Sequence, residues 1–253
     1  MADAEEDVAA VAVHVPAPYG RVKRAVEERV LTLIARGVDR LPAEQELSRQ
    51  LGASRATLRS ALLALQLEGR IARRHGVGTL INRHAWAIEA NLAQDLPFLE
   101  VIERSGGVAS IEIARMVGEP LPDALAQRLG LQRGDRALLI DRLFRSSGRP
   151  VVLSRDHVPE HLVGATDTMD AGSSVFDFLR DRAGKTVRYS VAHIGAVAAS
   201  DQVSTLLEVA TGAPLLVLDH LHIDEHDEPV AITEAFVRSD QLGFAVVRAG
   251  EVL

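Results

Sequence analysis

The chain has 253 residues, of which 47% are hydrophobic and 25% are charged, and its formal net charge is −7. It contains no cysteine, which excludes disulfides and thiolate metal sites. Its first residues, MADAEEDVAA, are acidic where a secretory signal peptide is basic, and no apolar run has the length of a membrane span, so we expect a cytoplasmic protein with no membrane partner.

The charge is unevenly distributed along the chain. Residues 21–84 hold 13 arginines and lysines against 6 aspartates and glutamates, whereas the rest of the chain holds 15 against 29. A basic segment joined to an acidic one indicates two domains with separate tasks, the first of them facing a polyanion. Before the basic segment, residues 1–18 are rich in alanine, valine and acidic residues, and they predict a disordered tail.

Residues 19–83 predict three helices followed by a β-hairpin. Apolar residues recur every three or four positions on one face of each helix: Val22, Val26, Val30 and Leu33, then Leu47 and Leu51, then Leu58, Leu62 and Leu65. Ser54 is a good N-cap for the third helix, and Gly69 suits its C-terminal end. The turn HGVG joins two short apolar runs into a hairpin. This order of elements predicts a winged helix-turn-helix.

Polar residues on the third helix and on the hairpin indicate DNA binding. Arg55 and Arg59 lie one helical turn apart, away from the leucine face, where arginines can reach guanine O6 and N7 in the major groove. Ser54 and Thr57 can donate to phosphate at the helix N-terminus. The hairpin, or wing, adds a second group of candidate contacts: Arg73, Arg74, His75 and Gly76. The alternative is that these cations form an ordinary solvated surface.

The segment LPAEQELSRQLGASRATLRSALLALQLEGRIARRHGVGTLI resembles the N-terminal domain of the GntR family of bacterial transcription regulators. The shared features are the LP-x-E start, the SR-x-T-x-R recognition helix, the L-x-x-EG end and the HG-x-G-T wing. The resemblance implies that Arg55, Thr57, Arg59 and Gly76 touch operator DNA. This chain has Gln45 where the family usually has arginine, so one charged contact is replaced by an amide that can bond a phosphate or an adenine edge.

Residues 96–250 predict an antiparallel sheet with flanking helices, so that the whole chain is of the α+β class. The expected strands are Ala137–Arg145, Val151–Val158, Thr186–Ala198, Pro214–Asp224 and Pro229–Arg238. The expected helices are Asp123–Leu129, Val175–Arg182 and Asp201–Val209, after an earlier one around Phe98 and Ile102. An aminotransferase-like second domain would need several hundred more residues and a Schiff-base lysine, yet Lys185 is the only lysine after Lys23.

The second domain resembles the HutC-type effector domain, also called UTRA, which is related in fold to chorismate lyase. The pieces that carry this resemblance are IDRLFRSSGRPVVLSRDHVP, SSVFDFL and EPVAITEAFVRSDQLGF. It implies effector-binding residues at four positions: Arg142, Ser174, Arg188 and Glu234. An alternative for Arg142 is a structural ion pair with Glu234 or another carboxylate. Phe144 and Ser154 stand where many relatives carry arginine and glutamate, which favours a less anionic ligand.

Three nearby histidines offer either a metal site or a solvated strand edge. His220 and His222 share a strand face, and His226 follows, but no third ligand lies at a fixed spacing. We therefore expect no metal and no cofactor. Between the two domains, residues 84–95 predict a linker that contains no glycine or proline, and we expect Trp86 to be ordered against the effector side.

These patterns together predict a transcription factor whose DNA binding responds to a small molecule. We expect a repressor that binds a palindromic double-stranded operator as a homodimer, because helix-turn-helix proteins read paired half-sites. We expect no enzymatic activity, so no residue is assigned a catalytic role. The alternatives are an enzyme that uses the chorismate-lyase-like domain catalytically and an architectural DNA-binding protein whose pocket is vestigial.

Overall fold

The computed structural model describes residues 19–74, 76–88, 97–164 and 167–247. The chain divides into two compact units, one formed by Met1–Gln94 with Ala245–Leu253 and the other by Asp95–Phe244. Three sequence predictions lie wholly or partly outside the described residues. They concern the tail 1–18, the second half of the linker 84–95, and His75.

The N-terminal unit has the predicted three helices and hairpin. Its elements are α1 (Tyr19–Ala35), α2 (Glu44–Leu51), α3 (Arg55–Leu67), β1 (Ile71–Arg74), β2 (Gly78–Ile81) and the short α4 (Arg83–Trp86). Ser54 caps α3, since its hydroxyl accepts the backbone N–H of Thr57 at 3.1 Å. Gly69 follows α3 with φ of 71°, a left-handed conformation that an L side chain rarely adopts. Strands β1 and β2 pair antiparallel to form the wing.

The leucine and valine positions of the three helices form one core. Its buried members are Val26, Val30, Leu33, Leu41, Leu47, Leu58, Leu62, Leu65, Ile71 and Ile81. Trp86 packs against this core, and its Nε1 donates to the backbone oxygen of Arg70 at 2.9 Å. The Arg70 guanidinium lies 4.6 Å from the Trp86 ring centroid. Trp86 is therefore ordered against the N-terminal unit, whereas the sequence had suggested the effector side.

The second unit is a six-stranded antiparallel sheet with helices on both faces. Its elements are α5 (Phe98–Arg104), β3 (Ala109–Pro120), α6 (Asp123–Arg128), β4 (Arg136–Ser146), β5 (Arg149–Pro159), α7 (Val175–Ala183), β6 (Val187–Ala198), α8 (Asp201–Leu207), β7 (Pro214–Asp224) and β8 (Pro229–Val237). The strand order is β3-β4-β5-β8-β7-β6. The five predicted strands and the three bounded helices are present, with ends that differ by at most two residues.

Strand β3 was missed by the sequence prediction. It is the edge strand next to β4, and its register shifts between Ile113 and Arg115. Before the bulge the apolar residues Ile111 and Ile113 occupy odd-numbered positions, whereas after the bulge the apolar Met116 occupies an even-numbered one. A break of this kind removes the period-two pattern from which a strand is predicted.

The two faces of the sheet are covered by different helices, and we name each face after one of them. On the α7 face, Leu138 and Ile140 pack against Phe178 and Leu179. On the α8 face, strand residues such as Leu143 and Leu153 pack against α8, while α6 covers another part of the same face. Among the described helices, none is both long and apolar enough to cross a membrane.

Candidate DNA-binding and effector sites

The N-terminal half of α3 presents the predicted base-contacting residues. Arg55 and Arg59 are exposed, one turn apart, while the leucines of the same helix are buried. Beside them the hydroxyls of Ser54 and Thr57 are 2.8 Å apart and bond each other within the N-cap. The cap therefore fixes the first turn of the helix and holds Thr57 in place, and the two arginines extend from this capped end of α3.

The wing presents the second group of predicted contacts. Arg73 and Arg74 are exposed at the end of β1, and Gly76 follows in the turn with φ of 73°. The N–H of Val77 donates to the oxygen of Arg74 at 3.1 Å and closes this turn. Glycine is suited to the position because it adopts positive φ without strain and lets another backbone approach closely. Gln45 is exposed on α2.

The sequence analysis assigned no contact to two further residues of this surface, one of which is the glutamate of the LP-x-E start. Glu44, the first residue of α2, lies 3.0 Å from Nε of Arg59 and 2.9 Å from Nη2 of Arg73. Arg40 pairs with Leu80 as an isolated bridge and so lies beside the wing. These contacts join residues that are 15 or more positions apart, and no local pattern announces them. By contrast Arg70, which belongs to the same basic stretch, is buried rather than presented to a partner.

The predicted effector residue Arg142 forms a buried ion pair on the α7 face. Its Nε and Nη2 lie 2.9 and 2.8 Å from Oδ2 of Asp156, and its Nη1 donates to the backbone oxygen of Ser173 at 3.1 Å. Arg142 is 7% exposed and Asp156 is fully buried. The carboxylate that pairs with Arg142 is thus Asp156, and not Glu234.

A hydrogen-bonded chain continues from Asp156 across the sheet. The Thr233 hydroxyl donates to Oδ1 of Asp156 at 2.6 Å, and Nε2 of His222 lies 2.8 Å from the same hydroxyl. Because Thr233 uses its proton on Asp156, His222 must donate from Nε2. Its Nδ1 then accepts from the Ser190 hydroxyl, 2.7 Å away. Burial, with smaller contributions from the charges of His220 and Arg142, lowers the pKa of His222 to about 3. The imidazole is therefore neutral at physiological pH.

Aromatic rings lie beside Arg142 and His222 on the α7 face. Phe144 meets Phe98 edge-on at 5.3 Å between ring centroids, and Phe176 meets His222 in the same way at 5.0 Å. Ser154, the cross-strand neighbour of Arg142, is fully buried, and its hydroxyl has no hydrogen-bond partner in the described part of the chain. The local surroundings of Arg142 are thus aromatic and hydroxylic.

Of the other predicted effector residues, Ser174 directly follows Ser173, whose backbone oxygen accepts from Arg142. Ser174 caps α7 in a reciprocal capping box with Asp177, which engages its hydroxyl. Arg188 is exposed on β6.

The expectation that Arg142 and Glu234 face one pocket is wrong. Arg142 pairs in register with Ser154, whereas Glu234 pairs with Arg155, and adjacent residues of a strand point to opposite faces. Glu234 therefore lies on the α8 face, where Oε2 is 3.3 Å from Nε2 of His157.

The three histidines considered for a metal have different surroundings. His222 is 2% exposed within the hydrogen-bonded chain, so it is not part of a solvated strand edge. His220 lies beside it, with ring centroids 5.8 Å apart, and the His226 side chain is largely exposed. Nowhere in the described ranges do three or more metal-ligating side chains cluster in a way that could hold an ion.

Comparison with known proteins agrees with this geometry. The family model "UTRA domain" matches residues 104–242, and the model "Bacterial regulatory proteins, gntR family" matches residues 18–81. An exposed recognition helix and wing, joined to an effector domain, define a DNA-binding transcriptional regulator. The chain belongs to the UTRA family, and its N-terminal part is a GntR helix-turn-helix domain.

Two named relatives are similar to most of this chain. The HTH-type transcriptional regulator Rv0792c of Mycobacterium tuberculosis is 28% identical over 212 residues, which cover 82% of this chain and 77% of that protein. The probable transcriptional regulator PhnF of Escherichia coli is 27% identical over 232 residues, 91% of this chain and 95% of PhnF.

Two solved structures are similar over 91% of this chain and all of theirs. For the possible regulator YydK of Bacillus subtilis the TM-score is 0.70 at 15% identity, a likeness of fold alone. For PhnF of Mycobacterium smegmatis it is 0.57 at 25% identity.

Proposed function

We propose that this regulator is a cytoplasmic repressor that binds a palindromic operator as a homodimer and releases it when a small molecule occupies the α7 face of its second unit. The observation that carries the proposal is the exposed pair Arg55 and Arg59 at the N-terminal end of a capped recognition helix, next to a cationic wing. This is the arrangement with which winged helices read base edges and phosphates.

The proposed DNA contacts divide into two groups. Arg55 and Arg59 read bases, because a guanidinium at the start of a recognition helix can bond guanine O6 and N7 together. The residues proposed to bind the backbone are Gln45, Ser54, Thr57, Arg73, Arg74, His75 and Gly76. These contacts position the module on the duplex and make its affinity depend on salt.

Strand β6 supports the proposed dimer. It is an edge strand of the sheet, and Val191, Ile194 and Val197 are exposed on it. The stretch 190–199 contains no arginine, lysine or proline, which are the residues that usually protect an edge from pairing. An identical β6 from a second copy can add antiparallel about a twofold axis, and that symmetry matches a palindromic operator.

The charge balance of the α7 face supports an effector that is not a strong anion. Arg142 is already neutralised by Asp156, and His222 is uncharged. The buried Ser154 hydroxyl, which has no hydrogen-bond partner among the described residues, is the proposed hydrogen-bonding group for the effector, and Phe144 and Phe176 offer apolar contact. The effector acts by favouring a protein state that binds DNA weakly. By linkage, it must then bind the DNA-bound protein more weakly by the same factor.

The test begins with selection of the operator from genomic fragments by the full-length protein. The recovered duplex is then titrated with wild-type protein and with Arg55→Ala/Arg59→Ala, which should lose operator preference. Small molecules that raise the melting temperature of the free protein are then added to the protein–DNA complex. Those that release the DNA are recovered and identified. Recovery of the compound unchanged supports a regulator, whereas turnover supports the enzymatic alternative. If no genomic duplex is bound in preference to scrambled DNA, the proposal fails.

A further inference from the structure

Glu44 holds two of the proposed DNA-contacting arginines that come from different elements. Its Oε2 accepts from Nε of Arg59 in α3 at 3.0 Å, and its Oε1 lies 2.9 Å from Nη2 of Arg73 in β1. The carboxylate therefore links the recognition helix to the wing from its own position at the start of α2. Neither the sequence pattern nor the proposed set of DNA contacts gives this residue a role.

The atoms used in these contacts leave each arginine able to bind DNA. Arg59 gives its Nε to Glu44, so both terminal nitrogens stay available for the two acceptors of a guanine. Arg73 gives one terminal nitrogen and keeps its remaining N–H groups for phosphate. The ion pair with Glu44 thus restricts the orientation of the Arg59 guanidinium and leaves free the two terminal nitrogens that read a base.

The pair contributes little to folding, because the Arg59 side chain is 70% exposed and ion pairs of that exposure are weak. Its effect on DNA binding is larger. When Arg73 binds a phosphate as proposed, Glu44, 2.9 Å from Arg73, is well inside the Debye length of that phosphate and is repelled by any duplex. That repulsion is offset only on a sequence where the oriented Arg59 finds its guanine.

We infer that Glu44 is a positioning residue for sequence discrimination: it orients Arg59 for base reading and lowers affinity for non-operator DNA. The inference rests on the proposed function, in which Arg59 reads a base and Arg73 binds the backbone. It assigns specificity to a residue that need not touch a base.

Glu44→Gln tests this, with Glu46→Gln as the matched control. Glu46 lies in the same first turn of α2 and pairs with Arg49 at 3.5 Å, so both variants lose one charge from the same place on the helix; Glu44→Gln loses two ion pairs and Glu46→Gln loses one. Affinity for the selected operator and for a scrambled duplex is measured by fluorescence anisotropy at several salt concentrations. Glu44→Gln should bind scrambled DNA more tightly, with a salt slope steeper by about one. Its ratio of operator to scrambled affinity should fall about tenfold, a loss within the range of one bidentate base contact. Glu46→Gln should stay within about twofold of wild type in that ratio, since Arg49 is not among the proposed contacts.

A base-preference readout separates positioning from a structural role. Operators with single base-pair changes are compared, and Glu44→Gln should relax preference at the same base pair as Arg59→Ala. In an Arg59→Ala background it should cause no further loss of preference. Melting temperatures of Glu44→Gln and Glu46→Gln should agree. If Glu44→Gln matches Glu46→Gln in ratio and slope while Arg59→Ala is defective, this inference alone is overturned. If Arg59→Ala binds the operator like wild type, the proposed base contact is overturned together with it.

Discussion

Arg142 and Asp156 form an ion pair across β4 and β5 in which one carboxylate oxygen accepts two guanidinium N–H bonds. Both side chains are nearly or fully buried, and the second carboxylate oxygen bonds Thr233. This pair places two opposite charges beside the proposed effector site and cancels them there. Its consequences for stability, and for the kind of ligand that fits, can be tested separately.

Breaking the pair should destabilise the second unit. Arg142→Ala leaves Asp156 as an uncompensated buried charge, a change that typically costs about 3–5 kcal/mol. Unfolding in denaturant, followed by the β-sheet signal in circular dichroism, measures the cost. The double variant Arg142→Ala/Asp156→Ala should be no worse than either single variant, because it leaves no lone charge.

Arg145→Ala is the control for this prediction. Arg145 lies on the same strand, and its carboxylate partners Glu112 and Glu208 are largely exposed, so the loss should stay below about 1 kcal/mol. An Arg142→Ala protein as stable as Arg145→Ala would contradict the buried pair.

The neutral, buried His222 should make the protein lose stability in mild acid. The pKa of His222 is about 3 in the folded state against 6.5 for an unperturbed histidine, so below pH 6.5 the unfolded chain takes up a proton that the folded chain refuses. Above pH 6.5 the protonation of His222 costs the folded protein no stability. Below pH 6.5 the free energy of unfolding falls by about 1.4 kcal/mol per pH unit as the pH approaches 3. The groups that face His222 are Arg142, Phe176, Ser190, His220 and Thr233.

The measurement is the free energy of unfolding between about pH 4 and pH 7 for wild type and for His222→Gln, whose amide does not titrate. Subtracting the two curves removes the contribution of the carboxylates, which both proteins share. The difference should shrink as the pH falls, in favour of the variant. Parallel curves would show that His222 takes up its proton equally in both states.

The recognition helix and the wing should respond differently to loss of a charge. Arg59→Ala should weaken operator binding by about 1–3 kcal/mol and relax preference at one base pair. Arg73→Ala should weaken operator and scrambled DNA alike and reduce the salt slope by about one. Gel shifts at several salt concentrations distinguish them. Equal losses on both duplexes for Arg59→Ala would place this residue on the backbone instead.

Trp86 emission should report on the N-terminal unit. The indole bonds the Arg70 backbone and lies against its guanidinium, so its spectrum should shift when that unit unfolds. Arg142→Ala should lower the denaturant midpoint of the sheet signal and leave the Trp86 midpoint nearly unchanged. A shift of both midpoints by the same amount would show instead that the two units unfold as one.

Trp86→Phe should cost about 1 kcal/mol through the lost hydrogen bond.

Much of the DNA-binding unit could be predicted from the sequence because its signals are local. Leucines at helical spacing, the N-cap at Ser54 and the glycine at Gly69 all act within one or two turns of chain. The resemblance to the GntR family rests on the same short segment, and both its helices and its wing are present. The strands of the second unit were likewise visible wherever their alternation was unbroken, which excludes the bulged β3.

The site in the second unit depended on the tertiary structure. Alternation along a strand separates its residues into two sets, but only the register between strands says which sets share a face. Register put Asp156 and Thr233 beside Arg142 and put Glu234 on the other side of the sheet. Similarly, Glu44 and Arg73 are distant in the chain and meet because α2 and the wing pack around one core. The sequence by itself determined most of the helices and strands, since their signals depend on neighbouring residues, but it did not determine the bulged β3. Which charged groups meet depended on long-range packing, because each ion pair joins elements that are brought together only when the chain folds.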